Sequence, residues 1–78
     1  MDAVGFINDR IEQLRETASR LLADAAGQVA KATRWMAEGD NPADAVQSAA
    51  NALREAHTLL TAVRELRDAA AVAGHKAK

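Results

Sequence analysis

Apolar residues recur at alternating intervals of three and four over nearly the whole chain. Val4, Ile7, Ile11, Leu14, Ala18, Leu21 and Ala25 follow one another with the spacing 3-4-3-4-3-4. That rhythm puts them on one face of an α-helix, as a seam for packing against a second helix. After Ala18 a second track opens through Leu22, Ala25, Val29, Ala32 and Met36, which widens the apolar face. Further along, Ala45, Ala49, Ala52, Ala56, Leu59, Val63, Leu66, Ala70 and Ala73 repeat the rhythm, with Val46, Leu53 and Leu60 beside them. Arg54, Glu55, Thr58, Thr61, Glu65 and Asp68 fall on the opposite side.

One segment interrupts the pattern, Gly39-Asp40-Asn41-Pro42. Gly39 suits the left-handed conformation that ends a helix. Asn41 suits the cap of the next one, and Pro42 the first helical position, where its missing N–H costs nothing. Asp44 follows where a carboxylate meets free N–H groups and the positive end of the helix dipole. The spacing predicts a single all-α domain over 1–78. Its first helix spans about 3–38, its turn 39–41 and its second helix about 42–73. Gly74 is expected to end the second helix and leave 74–78 as a tail. So short a connection makes the helices antiparallel.

The apolar faces are wider than a two-helix contact covers. A two-helix seam needs two apolar tracks per helix, and the second helix carries three. Val46, Leu53, Leu60, Leu22 and Val29 are therefore expected to stay uncovered in a single copy. The economical way to cover them is a homodimer forming a four-helix bundle. The residues expected at such an interface are Leu22, Val29, Trp35, Met36, Val46, Leu53, Leu59, Leu60, Val63 and Leu66. The alanines at the start of helix 2 are expected to lie beside the end of helix 1, where Val29, Ala32, Trp35 and Met36 sit, so that small residues face large ones. Gly27, in mid-helix, is either a close crossing or a tolerated defect.

Composition sharpens this picture. Of 78 residues 20 are alanine, with only seven leucines, two isoleucines and one tryptophan. Alanine favours helix strongly but supplies little apolar area, so the chain is rich in helix and poor in core. The net charge of −1 comes from interspersed acids and bases. Glu65 and Asp68 sit among Arg64 and Arg67, so no basic stripe for nucleic acid is expected. No apolar run approaches the roughly 20 residues that span a bilayer. Met1 to Arg10 lack the basic start and apolar run of a secretory signal. The expected compartment is the cytoplasm, with export independent of a signal peptide left open.

Candidate chemistry is sparse. The chain has no cysteine, so disulfides and thiolate metal sites are excluded. His57 has no Asp, Glu or His four residues away, where a helix pairs metal ligands. The four glycines are too scattered for a phosphate loop, and Glu12 and Glu16 lie among Arg15 and Arg20. No catalytic residue, metal, cofactor or small-molecule substrate is expected, and the expected partner is the chain itself or another helical protein.

Two families offer comparison. Trp35-Met36-Ala37-Glu38-Gly39 at the turn resembles the tryptophan and glycine that mark the turn of the WXG100, or ESAT-6-like, small helical hairpins. Here three residues separate the pair where that family has one. The family's trailing tyrosine-based export signal has no counterpart in a chain without tyrosine. The resemblance implies a hairpin that pairs into a four-helix bundle with a heterologous partner and leaves the cell without a signal peptide. A second resemblance is to helical chorismate mutases, whose long first helix carries a basic pair with the spacing of Arg20 and Lys31. The preceding arginine of that pattern falls at Ala3, and the third helix has no counterpart. It would imply an enzyme. The reading drawn from the residues themselves is a non-catalytic helical interaction module.

Overall fold

The computed structural model describes residues 3–76, with side chains described for 3–73. It is an antiparallel hairpin of two helices, α1 (Ala3–Ala37) and α2 (Ala43–Lys76). At 1.5 Å per residue each is about 50 Å long, and the Cα atoms span 62 × 16 × 13 Å. Helix α2 runs through Gly74 to Lys76, so the expected stop at Gly74 is not made. A glycine ends a helix when it takes a left-handed conformation, and the positive-φ glycine here is Gly39. Residues 77 and 78 of the expected tail lie outside the described residues, as does Asp2.

The turn closes by side-chain and backbone capping. Gly39 has φ +85°. The Asp40 N–H donates to the Trp35 carbonyl (2.8 Å) and the Gly39 N–H to the Met36 carbonyl (3.1 Å). These two nested bonds are a Schellman motif, which satisfies carbonyls that α1 would otherwise leave open. On the far side the Asn41 side-chain oxygen accepts from the Ala43 N–H at 3.0 Å. The Pro42 carbonyl takes the first helical bond, from the Val46 N–H (2.9 Å). Asp44 sits in the first turn of α2.

The seam has two halves of different composition. Toward the open end, Ile11, Leu14 and Val63 form the buried cluster, with Ile7, Leu59, Ala62 and Leu66 packed against it. Toward the turn the buried residues are alanines: Ala18, Ala25 and Ala32 from α1, and Ala45, Ala49, Ala52 and Ala56 from α2. Ala18 and Ala56 are each 1% exposed. Of the residues expected to face the alanines of α2, Ala32 is buried and Trp35 half-buried at the turn end, whereas Val29 and Met36 point outward. Alanines of both helices fill most of the turn half of the seam, and a methyl group is buried that completely only if the facing helix comes close. No polar or charged side chain is buried among the described residues.

A Cβ built on Gly27 would meet nothing within 4 Å, so no close crossing explains that glycine. Gly27→Ala is therefore expected to raise stability by up to about 1 kcal/mol. Gly39→Ala is expected to lower it by about 1–2 kcal/mol, because the left-handed backbone strains any Cβ. Thermal unfolding followed by circular dichroism measures both. Equal responses would mean that the turn geometry is not what Gly39 supplies.

Candidate functional site

Helical periodicity sets which side chains flank the seam. On α1, Asn8, Arg15, Leu22, Val29 and Met36 repeat every seven residues along one flank; on α2, Val46, Leu53, Leu60 and Arg67 do the same. In an antiparallel pair these matching flanks come to the same side. A shallow groove lined by Arg15 of α1 and by Leu60, Val63, Arg64, Arg67 and Asp68 of α2 shows the two together. The other flank is polar over the turn half, where Asp24 and Ser48 are exposed; Thr17 and Glu55 line a groove there with Leu21, Thr58 and Leu59, and Phe6 and Val72 are exposed farther along, at the open end.

The first flank thus carries a continuous apolar strip over the turn half. Its members are Leu22, Val29, Met36, Val46, Leu53 and Leu60, and their exposure runs from 41% at Leu60 to 67% at Met36. All five residues expected to stay uncovered in one copy are exposed. Small residues border them, since Ser19, Ala26, Thr33, Ala43 and Ala50 follow on the next positions outward and are also exposed. The Thr33 hydroxyl donates to the Val29 carbonyl at 3.0 Å, which keeps that polar group from competing for water on the strip's border.

The ten residues expected at an interface divide into two groups. The six just named form the exposed strip. Val63 is buried in the seam, and Leu59 and Leu66 pack on the same cluster. Trp35 is half-buried at the turn end, with the Lys31 ammonium 4.8 Å from its ring centroid. These four hold the hairpin together. Seven-residue arithmetic separates the groups: each strip residue stands one position beyond a seam residue, as Leu22 beyond Leu21 and Leu60 beyond Leu59.

The chain exposes 5840 Å², against about 4,600 Å² for a compact monomer of its 8.3 kDa mass; the difference follows from its 62 × 16 × 13 Å rod shape.

Side chains with chemical capacity are scattered. His57 is exposed and lines an outer groove with Thr58, Thr61, Ala62 and Glu65, all from α2. Among the described residues no group of three or more His, Asp or Glu is placed to hold a metal ion. No helix among them is long and apolar enough to cross a membrane. Arg20 is exposed, whereas Lys31 lies over the Trp35 ring.

No protein-family model, no curated protein and no solved structure matches this chain. The strip has to be interpreted from its own chemistry.

Because Trp35 packs over the turn end, Trp35→Ala is expected to cost about 2 kcal/mol, less than the 3–5 of a fully buried aromatic. Chemical unfolding measures it. An unchanged midpoint would show that the ring contributes nothing to closing the hairpin.

Proposed function

We propose that this hairpin is a non-catalytic interaction module that works by packing its apolar strip against other helices, and that it self-associates into a four-helix bundle. The observation that carries the reading is the strip: six large apolar side chains in two parallel rows, exposed on one flank of the turn half, whereas the two other exposed large apolar residues, Phe6 and Val72, stand apart from it at the open end. Exposed apolar area of this extent on a small rod stabilises association, since each Å² removed from water contributes about 25 cal/mol. A second hairpin presents a face of matching length and shape, and two-fold pairing is the commonest way identical chains assemble. The core is thin, with seven of the ten buried apolar residues among those described being alanine. Association therefore adds apolar burial that the isolated hairpin lacks.

The module would serve as an adaptor, scaffold or small regulatory subunit. Sedimentation equilibrium at micromolar concentration is expected to give twice the 8.3 kDa chain mass. Leu53→Asp combined with Leu60→Asp is expected to return the single-chain mass, since a charge cannot be buried in the interface without a partner. Neither residue lies in the seam, so the variant should remain helical. A wild-type chain that sediments at 8.3 kDa would overturn the proposal.

A further inference from the structure

In the turn half each helix carries two complete seams, and the fold uses one of them. The used seam alternates the alanines Ala18, Ala25 and Ala32 of α1 with Leu21, Gln28 and Trp35. On α2 it alternates Ala49, Ala56 and Val63 with Ala45, Ala52 and Leu59. Keeping the first member of each alternation and replacing every second member by its successor gives the other seam. On α1 that seam reads Ala18, Leu22, Ala25, Val29, Ala32 and Met36, with intervals 4-3-4-3-4. On α2 it reads Val46, Ala49, Leu53, Ala56, Leu60 and Val63, with intervals 3-4-3-4-3. Either rhythm is an unbroken heptad face. The used seam holds a polar residue, the half-buried Gln28, while its neighbour Val29 is 51% exposed.

Pairing across the hairpin sharpens the contrast. Leu14 and Val63 share the buried cluster, so residues whose numbers sum to 77 stand level there. In the used seam that register sets Ala25 level with Ala52, Ala32 with Ala45, and Gln28 with Ala49. In the other seam the level residues sum to 78, almost the same register. Five successive levels then set Ala18 with Leu60, Leu22 with Ala56, Ala25 with Leu53, Val29 with Ala49, and Ala32 with Val46. Each level has one alanine and one large apolar side chain, the alternation that fills the space between helices.

From this double pattern we infer that the turn half has a second packing state, in which its two helices counter-rotate by about 50° and the exposed strip becomes the seam. Adjacent residues stand about 100° apart on a helix, and exchanging one of a seam's two tracks for its neighbour moves the midline by half of that. Both strip rows lie on one flank, so the helices roll in opposite senses, as meshed gears do. Leu22, Val29, Met36, Val46, Leu53 and Leu60 turn inward. Leu21, Gln28, Trp35, Ala45, Ala52 and Leu59 turn outward. The alanines common to both seams, Ala18, Ala25, Ala32, Ala49 and Ala56, stay buried throughout.

The open half opposes the rotation. There the residues that would turn inward are Asn8, Arg15 and Arg67, in exchange for Ile7, Leu14 and Leu66, which belong to the buried cluster or pack against it. Polar groups drawn into a seam without partners disfavour that exchange. The observed packing is thus the major state, and the turn half visits the other from it. The two halves of one hairpin favour different rotations, a conflict between local pattern and whole fold. The rotation gates the strip. Turned inward, its side chains are hidden from other helices; a partner packed on the strip holds the observed state instead. The inference stands on the two seams and does not require the self-association proposed above.

Thiol labelling in dilute solution tests the rotation, since the chain has no native cysteine. Ala49, Ala52 and Ala56 are all buried, and Ala52 lies between the other two on α2. Rotation exposes Ala52 alone of the three. Ala52→Cys is therefore expected to react with a water-soluble maleimide at least about tenfold faster than Ala49→Cys or Ala56→Cys, through a minor state of the folded hairpin. Fraying from the turn would label Ala49→Cys first, and opening of the whole hairpin would label all three alike. Either result overturns the inference. Val29→Gln puts a polar group into the second seam and leaves the used one untouched. Added to Ala52→Cys, it is expected to slow labelling to the rate of Ala49→Cys. Fast labelling that survives Val29→Gln contradicts the rotation. Sedimentation of the same chains reports self-association separately, and a single-chain mass leaves these expectations unchanged.

Discussion

The small size of the side chains buried in the turn half governs how the two helices of this molecule pack. A buried methyl group occupies so little space that two helices must come close to shield it. Ala18, Ala25 and Ala32 of α1 and Ala45, Ala49, Ala52 and Ala56 of α2 are shielded in this way. Close helices leave no room in the seam for larger side chains on its margins. Leu22, Val29, Met36, Val46, Leu53 and Leu60 are therefore held outside, in rows, on one flank. The exposed strip follows from the small size of what is buried. A leucine seam in the same positions would separate the helices and draw part of those rows inward.

The open half behaves differently for the same reason. There the seam is Ile11, Leu14 and Val63, with Ile7, Leu59 and Leu66 around it. These side chains make a self-sufficient cluster, and the flank beside them carries Arg15, Arg64 and Arg67. The hairpin thus divides its labour along its length. One half holds the two helices to each other through large side chains. The other half spends its large side chains outward and holds itself together through capping and close backbone contact. The turn belongs to that second half, and its Schellman motif, its Asn41 cap and the half-buried Trp35 supply the local order that an alanine seam provides only weakly.

Much of this was legible in the chain. The alternating intervals identify both helices, because a 3-4 rhythm over more than thirty residues has no other regular structure that satisfies it. Gly39, Asn41 and Pro42 locate the turn because each residue type has a conformational reason to stand there. The exposure of Val46, Leu53, Leu60, Leu22 and Val29 follows from counting tracks. What the rhythm did not separate is seam from interface at Trp35, Leu59, Val63 and Leu66, which are expected to face a partner and instead lie in or beside the seam. Leu59 and Leu60, or Leu21 and Leu22, are equally apolar neighbours about 100° apart on a helix. Only the rotation of each helix about its own axis decides between them. That rotation is set by the alanines, whose small size makes them weak markers in a hydrophobic pattern. Gly74 misled for a related reason: without a capping geometry around it, a glycine is simply a poor helical residue.

In the proposed dimer the strip is covered by another copy of the chain in the folded state. Mass action tests it directly, because a fold stabilised by association melts at a temperature that rises with protein concentration. Thermal unfolding of the wild-type hairpin, followed by helical circular dichroism across a hundredfold range of concentration, is the measurement. The melting midpoint is expected to climb steadily over that range. A midpoint independent of concentration would mean that the hairpin stands alone with its strip in water, and would overturn the proposed association.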